Sequence, residues 1–429
     1  MKKLRTLSIA ALALMGSTFS ALSQELVIWH DKGDDGVKMF QEIGELFTKQ
    51  NPGVTVKSLS FPTEQWFSRS IAAINTKTGP DLLFNDNFRI ARIQQSTGKL
   101  HNFGPDLDKL PADERKVLTD ADLAAARYKG ELIMLPTQRI LVALGARTSW
   151  LEAVGEKFPK TWDDALRVAR KFQDEDPDKN GRKDTYGFAS QAGDPSVMHQ
   201  MLEFFGFGAG LKNIIVDEQG EVVLDQPNNS KVVIEHIKLL SEYGLVSPET
   251  RNHTFTDMYQ LIEGGRAGFF RVGNWNVKKW DKEGIKGDYE IGPLPVLIEG
   301  EAPRIVVHGA RSVAVPENGR NVALSVKFAE FLLTPEAQAI SLTNMGGAIR
   351  NDIPTDKLPE HLAFFTNPDL VIAPNDFPES IHPWYPQFKE ALYRELIAAV
   401  QNPPADWDVW VKGVSDRLRP IASNLKSKG

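Results

Sequence analysis

The sequence predicts an α/β fold divided between two packed units. Three observations support this prediction. The chain has 429 residues, more than one hydrophobic core ordinarily serves. Strand-like and helix-like segments alternate near its start, which is typical of a mostly parallel sheet. The middle of the chain is richer in helical patterns, so additional helices are expected around a second unit.

The first predicted elements alternate strand and helix. Short apolar runs predict strands at 26–29, 54–56 and 81–84. Apolar residues at helical spacing predict helices at 37–47 and 63–75, each followed by a turn rich in glycine and proline. Ligands bind beyond the carboxyl ends of strands in such sheets, so polar residues directly after a strand are candidate site residues.

The later part of the chain supplies more helices and a further strand. Helices are predicted at 162–174, 197–205, 231–243 and 255–263. A strand at 267–270 follows and breaks in a turn around Asn274. Two segments that contain glycine and proline, 292–303 and 351–359, are expected to be crossings between the units or surface loops.

Composition excludes several classes of function. The net charge of −6 argues against a general nucleic-acid binder, because such a protein needs a basic surface. The sequence has no cysteine, which excludes thiol catalysis, disulfides, zinc ribbons and iron–sulfur clusters. A composition of 41% hydrophobic and 25% charged residues is typical of a globular chain.

The first 23 residues have the pattern of a secretory signal peptide. Lys2, Lys3 and Arg5 precede an apolar stretch at 7–15, and small residues stand before the expected cleavage point. The alternative is a short membrane anchor, but the apolar stretch is too short to span a bilayer. We therefore expect residues 1–23 to be removed and the mature protein to lie free in the periplasm.

Several short phrases occur along the chain in an order that resembles a known family. They are Val27-Ile28-Trp29-His30, Asn51-Pro52-Gly53-Val54-Thr55-Val56, Gly79-Pro80-Asp81-Leu82, Leu135-Pro136-Thr137, Pro159-Lys160-Thr161-Trp162-Asp163-Asp164-Ala165, Gly264-Gly265-Arg266-Ala267-Gly268, Asn274-Trp275 and Phe331-Leu332-Leu333-Thr334-Pro335-Glu336-Ala337-Gln338. Together they are similar to the ABC-transporter extracellular solute-binding proteins of family 1, the maltose-binding-protein-like group.

This resemblance implies the two-lobed periplasmic binding protein fold of type II, with the ligand cleft between the lobes. It implies an N-terminal lobe of residues 24–138 plus 303–346 and a C-terminal lobe of residues 139–302 plus 347–429. The lobes of a monomer would close around a mono- or oligosaccharide. The closed protein would deliver this carbohydrate to the permease subunits of an ABC importer in the inner membrane.

Aromatic side chains are the expected platforms for sugar rings. Trp275 follows a strand and a turn, so its ring is expected to project into the cleft, the alternative being packing within a lobe. Asn274 is either a ligand-binding amide or a turn residue. Trp66, near the start of a helix, is a second candidate or a hydrophobic contact. The resemblance adds Trp384, which lies just before the last helices.

Two polar residues follow strands and are candidates to bind sugar hydroxyls. Asp86 ends a strand, and a carboxylate accepts hydrogen bonds from two neighbouring hydroxyls; the alternative is an N-cap for the next helix. His30 ends the first strand and is followed by Asp31. Adjacent side chains point apart, and no serine nucleophile motif accompanies them, so a catalytic pair is not expected.

Four basic residues help to predict whether the ligand carries a negative charge. Arg139 stands at the first crossing and Arg271 at the end of a strand, whereas Arg311 and Arg350 lie in later segments. One arginine in a sugar site is ordinary, but two or three that converge would predict an anionic group on the sugar. His308 begins the phrase His308-Gly309-Ala310-Arg311, which departs from the family pattern, and polar or charged groups that face the ligand there would argue against a plain neutral sugar.

An acidic segment resembles the first part of a calcium-binding loop. Asp176, Asp178, Asn180 and Asp184 would supply side-chain oxygens at positions one, three, five and nine, and Arg182 a backbone carbonyl at position seven. Position twelve lacks the glutamate of a full EF-hand. The segment either holds a structural calcium ion or forms a surface turn.

These observations favour a carbohydrate-binding protein that is not an enzyme and needs no cofactor apart from this calcium. The same fold with an anionic sugar, a polyol, a glycerophosphodiester or a peptide is the first alternative. An exported glycoside-active enzyme is the second, although pairs of carboxylates occur in any acidic chain. The sequence contains no HExxH, GxSxG or phosphate-binding glycine loop.

Overall fold

The computed structural model describes residues 24–354, 356, 358–367, 372–373 and 382–427. The predicted signal peptide lies outside these residues, so its cleavage stays a prediction. No helix in the described part of the chain is long and apolar enough to cross a membrane.

The described strands form one mixed sheet and a separate two-stranded ribbon. The strands of the large sheet are β1 (Gln24–His30), β2 (Val54–Ser60), β3 (Leu82–Asp86), β6 (Leu135–Ala146), β7 (Tyr186–Phe188), β8 (Ala267–Gly273), β9 (Glu290–Gly292), β10 (Ile305–Ala314) and β11 (Ile372–Ala373). The ribbon pairs β4 (Arg127–Tyr128) with β5 (Glu131–Leu132).

The helices surround this sheet. They are α1 (Gly33–Gln50), α2 (Thr63–Thr76), α3 (Asn87–Thr97), α4 (Gly104–Leu107), α5 (Ala112–Arg115), α6 (Asp120–Ala124), α7 (Thr148–Ala153), α8 (Trp162–Asp174), α9 (Pro195–Gly208), α10 (Pro227–Ser241), α11 (Phe255–Glu263), α12 (Val277–Trp280), α13 (Val322–Phe331), α14 (Pro335–Met345), α15 (Glu360–Phe364), α16 (Tyr385–Gln401) and α17 (Trp407–Lys426), with a 3₁₀ helix at Pro248–Asn252.

Two long strands cross the middle of the sheet. The strand order is β2-β1-β3-β10-β6-β8-β7, and β9 and β11 pair with β6 and β10. β1 is parallel to β2 and β3, as the alternation of strand and helix predicts. β10 is antiparallel to both β3 and β6, and β8 is antiparallel to β6. Strands β6 and β10 therefore connect the first part of the sheet to the second.

Buried apolar side chains divide the chain into two lobes. The first lobe has one cluster, drawn from residues 26–135 and 313–349. The second lobe has two clusters, drawn from residues 141–307 and 342–422. Strands β6 and β10 contribute to both lobes, so each passes from one core into the other.

The crossing in β10 lies later than the limits implied by the resemblance. Ile305, Val306 and Val307 pack in the second lobe, although the predicted first-lobe segment begins at residue 303. The pairing of β10 with β6 shifts register between Val307 and Gly309, and Gly309 has a φ of 137° that favours glycine. The exact lobe limits stay a prediction, with this crossing moved to the residues around Gly309.

The helices and strands predicted from hydrophobic spacing are confirmed. The helices predicted at 162–174 and 255–263 have the same limits as α8 and α11. Capping explains the first limit, because the Thr161 hydroxyl accepts a hydrogen bond from the backbone N–H of Asp164 at the start of α8. The strand predicted at 267–270 is longer, since β8 continues to Gly273, where the predicted turn begins.

Candidate functional site

Charged side chains of the first lobe converge where β1 and β3 end and where β10 runs beside β3. The Lys32 ammonium lies 2.9 Å from an Asp31 oxygen and 3.2 Å from an Asp86 oxygen. Arg89 lies 3.7 Å from Asp31 and 3.5 Å from Asp86, and Arg311 lies 3.5 Å from Asp86. We call these five residues the charged cluster. It holds three cations and two carboxylates.

Asp86 is at the centre of the charged cluster. It occupies the N-cap position of α3, but its side chain makes no capping hydrogen bond and instead contacts the three cations. Burial raises the pKa of its carboxyl group, but Lys32, Arg311 and Arg89 together lower this pKa below its usual value. The carboxylate is therefore ionised at neutral pH. Phe88, beside it, is 50% exposed and presents an aromatic ring near the same strand end.

His30 ends β1 but lies inside the first lobe. Its side chain is fully buried, its Nδ1 accepts a hydrogen bond of 3.1 Å from the backbone N–H of Lys32, and its ring packs 5.5 Å from that of Phe40. Burial lowers its pKa to about 4; Asp31 opposes this shift and Lys32 adds to it. His30 is thus a neutral core residue that positions the backbone next to the charged cluster.

Arg271 and Gln191 supply buried polar groups from the second lobe. Arg271 lies on β8 and is 3% exposed, and its Nε and Nη2 have no hydrogen-bond partner among the described residues. Gln191 follows β7, is fully buried, and likewise has no partner for either atom of its side-chain amide in the described chain. Burying polar groups without partners is costly, so these groups point to a ligand that would satisfy them.

Aromatic rings flank Arg271. Its guanidinium carbon lies 5.6 Å from the ring centres of Trp275 and Phe255. The Trp275 indole N–H donates a hydrogen bond of 3.3 Å to the Tyr259 hydroxyl, which fixes the orientation of the half-buried ring. Burial lowers the pKa of Arg271, while Tyr259 and Glu203 oppose this shift. A guanidinium nevertheless stays protonated at neutral pH.

His308 connects the two halves of the site. It lies on β10 at the crossing, and its ring centre is 6.5 Å from that of Trp275. Burial and the nearby Arg271 lower its pKa well below the usual value, whereas Asp86 opposes this shift. His308 is therefore a neutral hydrogen-bonding group. Its ring is near Trp275, and three residues further along β10 Arg311 contacts Asp86, so His308 lies between the second-lobe groups and the charged cluster.

Two other candidates lie at the crossing but face protein groups. The Arg139 guanidinium donates to Asp122 at 2.6 and 3.1 Å and to the carbonyl oxygens of Val117 and Ile349. The Asn274 amide donates to the carbonyl oxygen of Arg139 at 3.0 Å. Both side chains therefore hold the crossing segments together, and their predicted role in ligand binding gains no support from these contacts.

The remaining candidates lie away from this site. Arg350 pairs with Asp352 at 2.6 Å and donates to the carbonyl oxygen of Leu333. Asp352 therefore neutralises the charge of Arg350. Trp66 is fully buried within the apolar cluster of the first lobe. Trp384 is 8% exposed and packs in the second lobe, with its ring stacked 5.1 Å from that of His382. The structure therefore does not bring these three residues to the cleft.

The acidic loop of the second lobe folds back on itself. Asp176 accepts a hydrogen bond from the Gly181 backbone N–H, and its other oxygen is buried without a partner in the described residues. The Asn180 amide contacts Asp178 at 2.7 Å and Asp184 at 3.2 Å. Burial, together with Asp176 and Asp184, raises the pKa of Asp178. No group of three or more His, Asp or Glu side chains in the described residues is placed to hold a metal ion, so calcium at this loop stays a prediction.

Several residues of the site were missed by the sequence analysis. Lys32 directly follows the strand-end residues already chosen, and Arg89 lies three residues after Asp86, so the same strand-end rule would have found both. Gln191 lies three residues beyond β7, where the same signal is present but weak. Glu203 lies within α9, and no sequence pattern marks it.

A family model matches most of the chain. The model described as bacterial extracellular solute-binding protein covers residues 33–339. The chain belongs to this family. The predicted resemblance is therefore confirmed, and the site described above lies largely within the matched residues.

Solved structures of sugar-binding proteins share the fold of this family member. The maltose-bound MalE3 of T. maritima aligns with a TM-score of 0.70 at 17% identity, over 92% of this chain and 99% of that one. The predicted α/β fold with two lobes is thus confirmed. Identity at this level carries the architecture only.

Curated relatives match over shorter stretches. The fructooligosaccharide ABC transporter substrate-binding protein FusA of Streptococcus pneumoniae is 32% identical over 151 residues, which are 34% of this chain and 27% of FusA. The polygalacturonan/rhamnogalacturonan-binding protein YtcQ of Bacillus subtilis is 27% identical over 129 residues, 30% of this chain and 25% of YtcQ. The matched stretches thus span about a quarter of these relatives.

Proposed function

We propose that this family member binds a carbohydrate in the cleft between its lobes and delivers it to an ABC importer. The observation that supports this most is the set of buried polar groups that have no hydrogen-bond partner among the described residues and lie on the side of the site that holds an aromatic ring. Arg271 and Gln191 offer hydrogen bonds to a ligand, and Trp275 offers a flat apolar face. Sugars present hydroxyl edges and apolar C–H faces, so this pairing suits them.

Binding would couple the two lobes. The charged cluster stands on the first lobe, Arg271 on the second, and His308 on the crossing strand between them. A saccharide that contacts both sides would favour the closed arrangement through its differential affinity. We infer that the closed form is what permease subunits recognise and that the chain itself carries out no chemical step.

The relatives support this class of ligand and this cellular role. FusA is named for fructooligosaccharide and YtcQ for polygalacturonan, so both are saccharide-binding proteins by their names. We propose export through the segment 1–23, cleavage of that segment, and function as a free monomer in the periplasm. Asp86 and His308 would order the sugar hydroxyls, with Trp275 as the platform.

A thermal-shift screen tests the proposed function. The chain without residues 1–23 is unfolded, refolded and mixed with neutral saccharides, uronic acids, polyols, glycerophosphodiesters and peptides. A ligand that binds only the folded state raises the melting temperature. We expect a rise with at least one saccharide. A rise with peptides or glycerophosphodiesters alone would contradict the carbohydrate assignment.

Replacing Trp275 by alanine should weaken saccharide binding by about 1–3 kcal/mol, because the variant loses stacking and buried area. Titration calorimetry with the best saccharide of the screen measures the change. Trp410→Ala is the control, since Trp410 is also half-buried but packs against Trp407 on α17. Equal affinity of the Trp275 variant and the parent protein would remove this ring from the site.

We further propose that the acidic loop holds a structural calcium ion through Asp176, Asp178, Asn180, the carbonyl of Arg182 and Asp184. The Asp176 oxygen that is buried without a partner in the described residues supports this proposal. The Asn180 amide oxygen accepts a hydrogen bond from the Arg182 backbone N–H, so the loop would rearrange to bind the ion. This calcium would tie the loop between α8 and β7 without taking part in ligand binding.

Calcium at 100 times its dissociation constant should stabilise the fold by about 2.7 kcal/mol. Melting temperatures of the parent and the Asp178→Asn variant are compared in calcium and in EGTA. Calcium should stabilise the parent more than the variant. In EGTA the variant should be at least as stable, because its substitution removes repulsion between Asp178 and its neighbours. Identical melting of the parent protein in both buffers would refute the calcium proposal.

A further inference from the structure

Arg271 is a buried cation that forms no ion pair with a carboxylate of the described residues. It is 3% exposed, and neither its Nε nor its Nη2 has a hydrogen-bond partner in the part of the chain that the structure describes. The nearby carboxylate, Glu203, instead lies 3.3 Å from the ring of His199. Burying a charge without a partner is strongly unfavourable. An anionic group on the ligand would supply the missing partner of the guanidinium.

The groups around Arg271 leave the N–H edge of its guanidinium available to that anion. The rings of Trp275 and Phe255 lie near the guanidinium and cannot accept strong hydrogen bonds in its plane. β7 runs parallel to β8 with Phe188 opposite Phe269, so Gln191, three residues beyond β7, follows the strand next to the one that carries Arg271. It adds a buried amide whose nitrogen is also unpartnered in the described residues. A planar guanidinium fork matches the two oxygens of a carboxylate, and an amide N–H is a suitable further donor.

The opposite side of the cleft also carries positive charge. The charged cluster holds three cations against two carboxylates, Asp31 and Asp86. The whole chain has a net charge of −6, so this local excess of cations runs against the general charge of the protein. His308 between the two sides is neutral at pH 7, since burial and Arg271 lower its pKa. The cleft therefore offers a net positive environment.

We propose that the saccharide bound in this cleft carries a carboxylate group, and that Arg271 together with Gln191 binds it. This inference rests on the proposed function and narrows its ligand to uronic acids and their oligosaccharides. A neutral sugar would satisfy the hydrogen bonds of Arg271 through hydroxyls but would leave its charge buried and unpaired. A carboxylate satisfies both.

Matched pairs of ligands test the inference directly. Galacturonate, glucuronate and mannuronate mono- and disaccharides are each compared with their methyl esters, which keep the shape and remove the charge. Calorimetry on the refolded protein should show at least one acid bound about 100-fold more tightly than its ester. Neutral and sulfated saccharides are included as further arms.

Variants of Arg271 assign the effect to this residue. Arg271→Gln should lose about 100-fold in affinity for the acid and little for the ester. Arg271→Lys should keep part of the preference, since it keeps the charge but not the fork. Arg167→Gln, on an exposed helix face of the second lobe, removes the same charge elsewhere and should change neither affinity. Melting curves show whether each variant is folded.

The outcomes separate this inference from the proposed function. Equal affinity for acids and esters, or binding of neutral saccharides alone, would overturn the carboxylate assignment and leave carbohydrate binding intact. Binding of sulfated saccharides without any uronate would also overturn it. If Arg271→Gln folds and keeps the preference for the acid, the carboxylate is bound elsewhere. Failure of every saccharide would contradict the proposed function itself.

Discussion

Replacing Asp86 by alanine should lower the free energy of unfolding by about 3 kcal/mol at pH 7. Asp86 is in contact with Lys32, Arg89 and Arg311. Its removal leaves Lys32 and Arg89 with Asp31 as their carboxylate and takes away the carboxylate that Arg311 contacts. Stability is lost mainly because these cations stay partly buried without the Asp86 carboxylate as their partner. Urea unfolding of the variant and the parent protein measures the difference.

Two controls make this prediction specific. Asp106→Ala removes a carboxylate of similar exposure that pairs with His101 and Lys109 outside the cleft, and it should cost less. The double variant Lys32→Met, Asp86→Ala removes one charge of each sign and should be less destabilised than the sum of the single variants. A strictly additive double variant would show that the Lys32–Asp86 pair is not coupled.

Acidification from pH 7 to pH 4 should destabilise the protein by several kcal/mol, in part through His236 and His30. Burial lowers the pKa of His236 to about 3 and that of His30 to about 4, against 6.5 for a free histidine. The unfolded chain therefore binds protons between pH 6.5 and 4 that the folded chain does not. Stability present above pH 6.5 is lost as the pH falls through this window.

His236 isolates one part of this acid effect. It is 1% exposed, its ring packs 5.2 Å from that of Phe205, and neither ring nitrogen has a partner in the described residues. His236→Leu should recover about 3 kcal/mol of the loss at pH 4. Urea unfolding at both pH values measures it, with His101→Leu as the control. An unchanged acid loss in His236→Leu would contradict the assigned role of this histidine.

Much of the fold could be predicted because it depends on local patterns. Hydrophobic spacing marks α8 and α11 to the residue, and the alternation of strands and helices gives the parallel arrangement of β1, β2 and β3. The long antiparallel strands β6 and β10 were not predicted from periodicity. Their pairing joins residues more than 150 positions apart, and no local signal encodes such a contact.

The site could be predicted only in part. Asp86, Arg271 and Trp275 follow or end strands, and the strand-end rule places all three near the crossing strands. Arg139 and Arg350 looked equivalent to Arg271 in the sequence. Their difference lies in partners such as Asp122 and the Leu333 carbonyl, which only the folded chain brings to them. Likewise, burial of Trp66 and Trp384 follows from packing around them rather than from their neighbours in sequence.

A crystal structure of the refolded protein with its tightest-binding saccharide tests the central claim most directly. We expect the sugar between the lobes, with a ring face against Trp275 and hydrogen bonds to both Arg271 and residues of the charged cluster. Variants show which contacts carry the affinity, but the position of the sugar decides whether the cleft is the site. A saccharide bound on an outer surface, with the cleft residues untouched, would contradict this account.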